Sequence, residues 1–314
     1  MGDYVNYTTA LLWVAQNLPW VHGQIYVSSF FMDFLEVIFR DYPKWSVHDG
    51  SAIRIEPHDC FIGPEIQMEG QNITRQLANA TGAHLMDLGF QYYTNQQAAP
   101  PGVMLPRLPA TRPQKVHWEV RPHLGKYVVF TPGSVVPARA TTAKHLNPLI
   151  EFCVSQGLTP VFLGKNNFAQ GMKVNFDEGI RFDLGIDLRD KTTILQAASV
   201  MEHAVCVLGL DNGLLHLAAA TDANVIFGYN ITTIAQRVPR RNWGETLNLA
   251  LTPQELACTA CQANGKLMIN HTYHKCYYGD TKCIDLLFSG GRFEKAVTYF
   301  KEKQDAIQIG SAAS

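Results

Sequence analysis

Residues 207–220 read Val207-Leu-Gly-Leu-Asp211-Asn-Gly-Leu-Leu-His216-Leu-Ala-Ala-Ala. An apolar run of buried-strand type meets Asp211-Asn212-Gly213, and a helical pattern begins at once. Asp211 or Asn212 can cap the free N–H groups at the start of that helix, and Gly213 lets another molecule approach them closely. A helix N-terminus after a buried strand is a ready anion site. The same residues also read as an ordinary N-cap followed by a packed histidine.

The segments on either side repeat the alternation. Tyr127–Phe130, Thr159–Leu163, Ala204–Leu210 and Asn224–Phe227 are apolar strand patterns. Thr142–Ser155, Thr192–His203, Gly213–Thr221 and Arg292–Lys303 have helical spacing. Continuous apolar strands alternating with helices predict a parallel sheet covered on both faces, with ligands in the crevice beyond the carboxyl ends of its strands. A second strand-to-helix turn, Phe130-Thr-Pro-Gly133-Ser134 followed by Arg139, suits the same chemistry. Glycine, a hydroxyl and a bidentate cation fit a diphosphate. No Gly-x-Gly-x-x-Gly after a strand and no Gly-Lys-Ser/Thr loop occurs, which weighs against a dinucleotide dehydrogenase or an ATPase.

The amino half has the same texture. Tyr26-Val27 and Ala52–Ile55 read as strands, Phe31–Phe39 and Asn72–Ala83 as helices. Between the halves, residues 98–123 carry six prolines, which no regular element tolerates. Arg107, Arg112, Lys115 and Arg121 stand there against Glu119, so this connection reads either as a solvated linker or as a basic wall beside a phosphate cleft. The chain therefore divides into an amino-terminal α/β domain, 1–125, and a carboxyl-terminal α/β domain, 126–314. Arg237, Arg240 and Arg241 are further cations, read as phosphate-facing or as a solvated cluster.

The 314 residues carry 26 Lys+Arg against 27 Asp+Glu, a net charge of −1, with 46% hydrophobic residues. That supplies a large core and argues against a generally basic nucleic-acid coat, though not against a local patch. No uncharged apolar run approaches the roughly 20 residues of a membrane span, and Asp3 precedes any hydrophobic segment, so the expectation is a cytoplasmic protein.

Four of the seven cysteines cluster. Cys258-Thr-Ala-Cys261 is followed after fourteen residues by Cys276 and after six more by Cys283. In a chain with no secretion signal this spacing reads as a four-thiolate structural metal site, zinc or iron. Disulfides and unliganded thiols are the alternatives. Gly265 and Gly279-Asp280 supply turns, and His271 and His274 are spare ligands. Cys153 and Cys206 read as small core residues.

These residues resemble a known family. Asp187-Leu-Arg-Asp-Lys-Thr-Thr-Ile-Leu-Gln-Ala-Ala and Leu210-Asp-Asn-Gly-Leu-Leu-His-Leu-Ala-Ala-Ala resemble the nucleotide-binding half of the ADP-heptose heptosyltransferases, glycosyltransferase family nine. Met1-Gly-Asp3 and the helical pattern after it are similar to that family's Gly-Asp turn. The cysteine spacing is similar to the iron finger of the bacterial autotransporter heptosyltransferases. The resemblance implies an α/β, GT-B architecture: two Rossmann-like, doubly wound domains facing a cleft, with the cysteine finger inserted near the carboxyl end. It implies Asp3 as the base that deprotonates an acceptor hydroxyl in an inverting transfer. It implies Gly133, Ser134, Arg139, Asp211, Asn212, Gly213 and His216 around the donor diphosphate. No catalytic metal is then needed. Two departures stand out. The family places a strand before the Gly-Asp turn, and it places an acid for the donor ribose soon after Leu163-Gly164, where this chain has Lys165, Asn166 and Asn167. The donor base is left open, as is the acceptor: a glycan, a protein or a modified DNA base. Partner expectations include a homo-oligomer. The alternative function is a non-catalytic module that uses the cysteine finger as an interaction surface, and a nucleic-acid-binding metal ribbon is a third reading.

Overall fold

The computed structural model describes residues 2–50, 67–68, 71–72, 84–94, 96, 98–133, 137–166, 168–169, 174–261, 276 and 282–312. The amino half holds α1 (Gly2–Asn17), β1 (Gly23–Val27), α2 (Ser29–Phe39), β2 (Trp45–Asp49), the two-residue pair β3 (Gln67–Met68) and β4 (Gln71–Asn72), and α3 (Leu85–Thr94). The carboxyl half runs β5 (Tyr127–Phe130), α4 (Ala143–Ser155), β6 (Thr159–Phe162), the short pair β7 (Phe168–Ala169) and β8 (Val174–Asn175), β9 (Ile186–Asp187) and α5 (Ile194–Glu202). It continues with β10 (Cys206–Leu210), α6 (Gly213–Ala219), β11 (Val225–Tyr229), α7 (Ile234–Arg237), β12 (Thr246–Ala250), α8 (Lys282–Phe288) and α9 (Arg292–Ala312). The expected strand Ala52–Ile55, residues 73–83 of the expected helix, Ser134, and the turns and histidines between the last cysteines lie outside the described residues.

The six-stranded sheet has the order β12-β11-β10-β5-β6-β9, and every neighbouring pair is parallel. Strands β5, β10 and β11 are buried along their whole length, as their uninterrupted apolar sequence requires when helices cover both faces. Helix starts are set locally. Thr193 with Gln196, and Thr233 with Gln236, form reciprocal capping boxes at α5 and α7, satisfying N–H groups that would otherwise be orphaned. Helix α9 continues past its expected end at Lys303, through residues that include good helix formers such as Gln304, Ala306 and Gln308. Arg189, from the stretch shared with the heptosyltransferases, is clamped inward: it donates to Asp177 at 2.5 Å and to Asp187 at 2.9 Å, with its guanidinium 3.5 Å from the Phe182 ring centroid.

The chain starts this sheet in the middle. From β5 it steps outward to β6 and β9, then crosses back to lay β10 on the other side of β5 and proceeds to β11 and β12. The switch point lies between β5 and β10, whose carboxyl ends carry Thr131-Pro-Gly133 and Asp211-Asn-Gly213. The two turns picked out in the sequence are therefore neighbours, at the place where such sheets open a crevice. They are also in contact. Gly209 lies so close to the β5 turn that a Cβ there would come 2.2 Å from Thr131 Oγ1.

In the amino half, β1, α2 and β2 form a parallel strand-helix-strand unit. The Trp45 ring lies against Gly23, where a Cβ would sit 2.2 Å from it, and stacks on Phe39. One apolar core runs through both halves, from Val5, Phe34 and Phe39 to Val129, Leu188, Ala198 and Leu215. Helix α1 packs on α3 and α6, and α2 packs on α5.

The proline-rich connection is strapped to the carboxyl half. Leu105 N–H donates to Arg240 O at 2.8 Å, Leu108 N–H to Ala220 O at 2.7 Å, and Thr111 N–H to a Glu202 carboxylate oxygen at 2.8 Å. Arg107 makes two bonds to Asp222, at 2.9 and 2.7 Å. Glu202 ends α5, Ala220 follows α6 and Asp222 precedes β11, so all three mark the amino edge of the sheet, opposite the crevice. This corrects the reading of a basic wall beside a phosphate cleft. Arg107 is spent on Asp222, and the prolines hold an extended strap whose backbone bonds go sideways. Among the described residues no helix is long and apolar enough to cross a membrane.

The Gly209 contact gives a test. Gly209→Ala forces Thr131 and the β5 turn to move, and is expected to cost about 2 kcal/mol of stability, within the range for overpacking, read as a lower urea midpoint.

Candidate active site at the switch point

The floor of the crevice is built on one carboxylate. Asp211 is 1% exposed, at the end of β10, where its N–H donates to Gly228 O at 2.9 Å. His216, one turn into α6, places Nε2 3.1 Å from Asp211 Oδ1. Thr232, beyond β11, donates its hydroxyl to Oδ2 at 3.1 Å. Arg139 reaches from the turn at 137–139 and places Nη1 2.8 Å from the Asp211 carbonyl and 3.4 Å from Oδ2. Arg237, at the end of α7, lies 3.9 Å from Oδ2 and is buried. Burial works against the charged carboxylate, but the His216 hydrogen bond and the Arg237 and Arg139 charges outweigh it. They hold the carboxyl well below the usual carboxylate range.

Asn6, on α1, places Nδ2 3.3 Å from His216 Nδ1. With Asn6 Nδ2 as the donor, Nδ1 is the acceptor and Nε2–H faces Asp211. Two guanidiniums then converge on one carboxylate, and the cluster carries net positive charge beneath the crevice.

Asn212 joins the two turns. Its Oδ1 accepts from Leu214 N–H at 2.9 Å and Leu215 N–H at 3.2 Å, and its Nδ2 donates to Thr131 O and Oγ1 at 3.1 and 3.0 Å. The structure thus brings Gly133, Arg139, Asp211, Asn212, Gly213 and His216 to one place. Their roles differ from the sequence reading in one respect: Asp211 and His216 face inward, and Asn212 uses the leading amides of α6. Positive charge from arginine, more than free helix amides, marks this spot. Asp3 falls in the first turn of α1, three residues before Asn6.

Sequence reasoning missed Asn6 and Thr232, which are ordinary polar residues until the fold carries them to Asp211. Of the later arginines only Arg237 joins the cluster. Arg240 forms a two-pronged pair with Asp87 at 2.6 and 2.7 Å. Arg241 is buried and donates to the carbonyls of Thr221, Ala223 and Glu245, and burial pulls its pKa down to about 10. Across the crevice mouth, Lys165 Nζ stands 5.3 Å from the centroid of the exposed Phe30 ring on α2.

The cysteines share one neighbourhood. Burial pushes the Cys261 thiol up to about 12, with Cys283, Cys276 and Cys258 adding to the rise. Cys283 is likewise raised by burial, and by Cys276 and Cys258. All four are free and half-buried. Among the described residues no group of three or more His, Cys, Asp or Glu stands ready to hold a metal ion.

A cationic crevice at the switch point of a parallel sheet is a place where an α/β fold receives an anionic ligand. The family model for glycosyltransferase family 9 (heptosyltransferase) matches residues 85–268, more than half of the chain; the chain belongs to that family and is a glycosyltransferase. A non-catalytic module is not favoured. No curated protein matches the chain at a significant level. Among solved structures it is similar to the dodecameric iron-containing heptosyltransferase TibC in complex with ADP-D-β-D-heptose. The TM-score is 0.69 at 16% identity, covering 97% of this chain and 74% of that one. TibC from enterotoxigenic E. coli H10407 gives 0.68 at 15%, covering 96% and 74%. The E. coli ADP-heptose LPS heptosyltransferase II gives 0.52 at 13%, covering 84% and 93%. At such identities the likeness establishes the fold.

Replacing Asp211 by Asn takes the carboxylate away from the buried Arg237 and the half-buried Arg139 and is expected to cost about 3–5 kcal/mol at neutral pH. Because folding depresses the Asp211 pKa, its contribution is complete above the unfolded value near 3.9 and is lost as pH falls below it. The stability gap between wild type and Asp211→Asn, measured by chemical denaturation, should therefore narrow below about pH 4.

Proposed function

We propose that the chain moves a sugar from a nucleotide-diphosphate sugar to an acceptor hydroxyl, with inversion at the anomeric carbon. The convergence of Arg139 and Arg237 on Asp211 at the switch point carries this reading: a donor diphosphate in the crevice meets fixed positive charge whose geometry is already set by the fold. Arg139, beside the Thr131–Gly133 turn, is the cation for the departing diphosphate, with Ser134, next in sequence after Gly133, proposed beside it. Asp211, His216 and Asn212 hold that arrangement from below.

Asp3 is the base. It takes the acceptor's proton as the oxygen attacks the anomeric carbon, and the bond from that carbon to the diphosphate breaks with its electron pair going to the phosphate oxygen. The helical rise puts the Asp3 backbone about 4.5 Å along α1 from Asn6, and Asn6 already touches the cluster. The two-domain division at 125–126, with the amino half presenting the acceptor across a GT-B cleft, belongs to the same proposal. TibC was solved with ADP-D-β-D-heptose, which supports a heptose-type sugar among the donors. Lys165 and Asn166 beyond β6 keep the base open. The acceptor hydroxyl belongs to a glycan, a protein or a modified base.

Cys258, Cys261, Cys276 and Cys283 are proposed to hold a structural iron or zinc. Four soft thiols in one another's electrostatic field are a donor set that suits either ion. When bound, the ion would cross-link the segment between β12 and α8 and take no part in transfer. TibC is iron-containing and dodecameric, which supports iron and a homo-oligomer here.

Thermal-shift titration with ADP, UDP, GDP and CDP tests the donor site. One nucleotide should raise the melting temperature of the wild type by linkage, and Arg139→Gln should need at least tenfold more of it. Asp3→Asn should keep the shift and lose turnover. A wild type that responds to none of the four overturns the donor assignment.

A further inference from the structure

Asn230, the residue after β11, is 2% exposed and joins three segments of chain. Its Nδ2 donates to Ala138 O at 2.6 Å and lies 3.6 Å from Cys283 Sγ. Its backbone carbonyl accepts from Ala260 N–H at 2.9 Å. Ala138 directly precedes Arg139. Ala260 lies between Cys258 and Cys261 and has a left-handed backbone, φ +53°, a conformation that costs an alanine about 1–2 kcal/mol and needs outside support. Ala138, Ile231 and Cys261 pack together beside these bonds. A primary amide has two N–H donors, and both are directed to named acceptors. Turning the amide over would set its oxygen against the Ala138 carbonyl, so chemistry fixes the orientation.

A continuous line of contacts therefore runs from the cysteine-bearing segment through Asn230 to Ala138 and Arg139, and from Arg139 to Asp211. We propose that Asn230 is a positioning residue that couples the four cysteines to the donor site, so that the state of the cysteines sets how firmly the Arg139 turn is held. The link to substrate rests on the reading that Arg139 meets the donor diphosphate; the coupling of the two segments stands on geometry alone. Held cysteines keep Cys283 and Ala260 in place, and Asn230 passes that order to the turn. Hydrogen bonds to a ligating sulfur are a familiar means by which a metal site and its surroundings fix one another.

The test uses Asn230→Leu, which keeps the number and branching of the side-chain heavy atoms and lacks both N–H groups. Hydrogen exchange on the full-length protein should speed up at least tenfold in residues 137–141 and 258–261 together, with β5, β10 and β11 unchanged. Alkylating the cysteines of the wild type after chelation should reproduce the acceleration at 137–141, and should add little in Asn230→Leu. Unchanged exchange, or acceleration spread evenly over the sheet, overturns the coupling. The second readout is affinity for whichever nucleoside diphosphate the wild type binds. Asn230→Leu should bind it at least tenfold more weakly, and combined with Arg139→Gln should be no weaker than Arg139→Gln alone. Equal affinity in Asn230→Leu, or fully additive losses, removes the link to the donor site while leaving the donor site itself intact. If the wild type binds no nucleotide, the donor reading falls and the exchange experiment still decides the coupling.

Discussion

A carboxylate taken out of water must be repaid in fixed charge and hydrogen bonds, and the burial of Asp211 imposes that demand on the whole carboxyl edge of the sheet. The partners come from separate stretches: Arg139 from the turn after β5, His216 from α6, Thr232 from the loop after β11 and Arg237 from α7. None can move far without exposing the others to an unpaired buried charge. The carboxylate thus ties two loops and two helices into one floor, and it fixes two guanidiniums beneath the crevice before any anion arrives. That is the kind of preorganisation a departing phosphate exploits.

The same network reaches the amino half through Asn6 and His216. Elsewhere the halves are tied by the Arg240–Asp87 pair and by His84, whose Nε2 lies 2.8 Å from Val238 O. Burial draws the His84 pKa down to about 4, so its neutral ring can donate to that carbonyl and accept from Met86 N–H with no charge to solvate. These ties, together with an apolar core that runs through both halves, seat α1 against the switch point. For Asp3 the consequence is geometric: a residue near the start of a chain is placed by the whole length of the helix behind it.

How far the sequence was legible follows from the range of the forces involved. Parallel strands buried on both faces announce themselves in composition, so β5, β6, β10 and β11 were found with their helices. Two strand-to-helix turns could be picked out because glycine, proline and Asn-Gly have local meanings. The partners of Asp211 could not all be found. Asn6 is 210 positions from His216, and nothing in a buried threonine such as Thr232 signals a carboxylate nearby. The proline-rich strap was misread in its functional version because charge alone does not say which edge of a sheet a segment crosses. Strand β2 is only half-buried, and β12 has a polar residue at Asn248, so neither carried a clear apolar signature.

The residues beyond β6 show the same limit at finer scale. Beyond β6 the chain offers Lys165 and Asn166, and a search along the sequence ends there. In space, β9 pairs with β6 in parallel, Phe162 opposite Asp187, so the turn after β9 arrives at the same edge. Asp190 in that turn has a left-handed backbone, φ +57°, which aspartate tolerates better than most residues. Its N–H donates to Gly164 O at 2.9 Å, and its Oδ2 accepts from Asn166 N–H at 3.0 Å. A carboxylate therefore does stand beside the Gly164 turn, delivered by the next strand of the sheet instead of by the loop that contains the turn. Parallel pairing brings the residues that follow every strand to one edge, so which side chains gather there is decided by the fold and only loosely by any one loop of sequence.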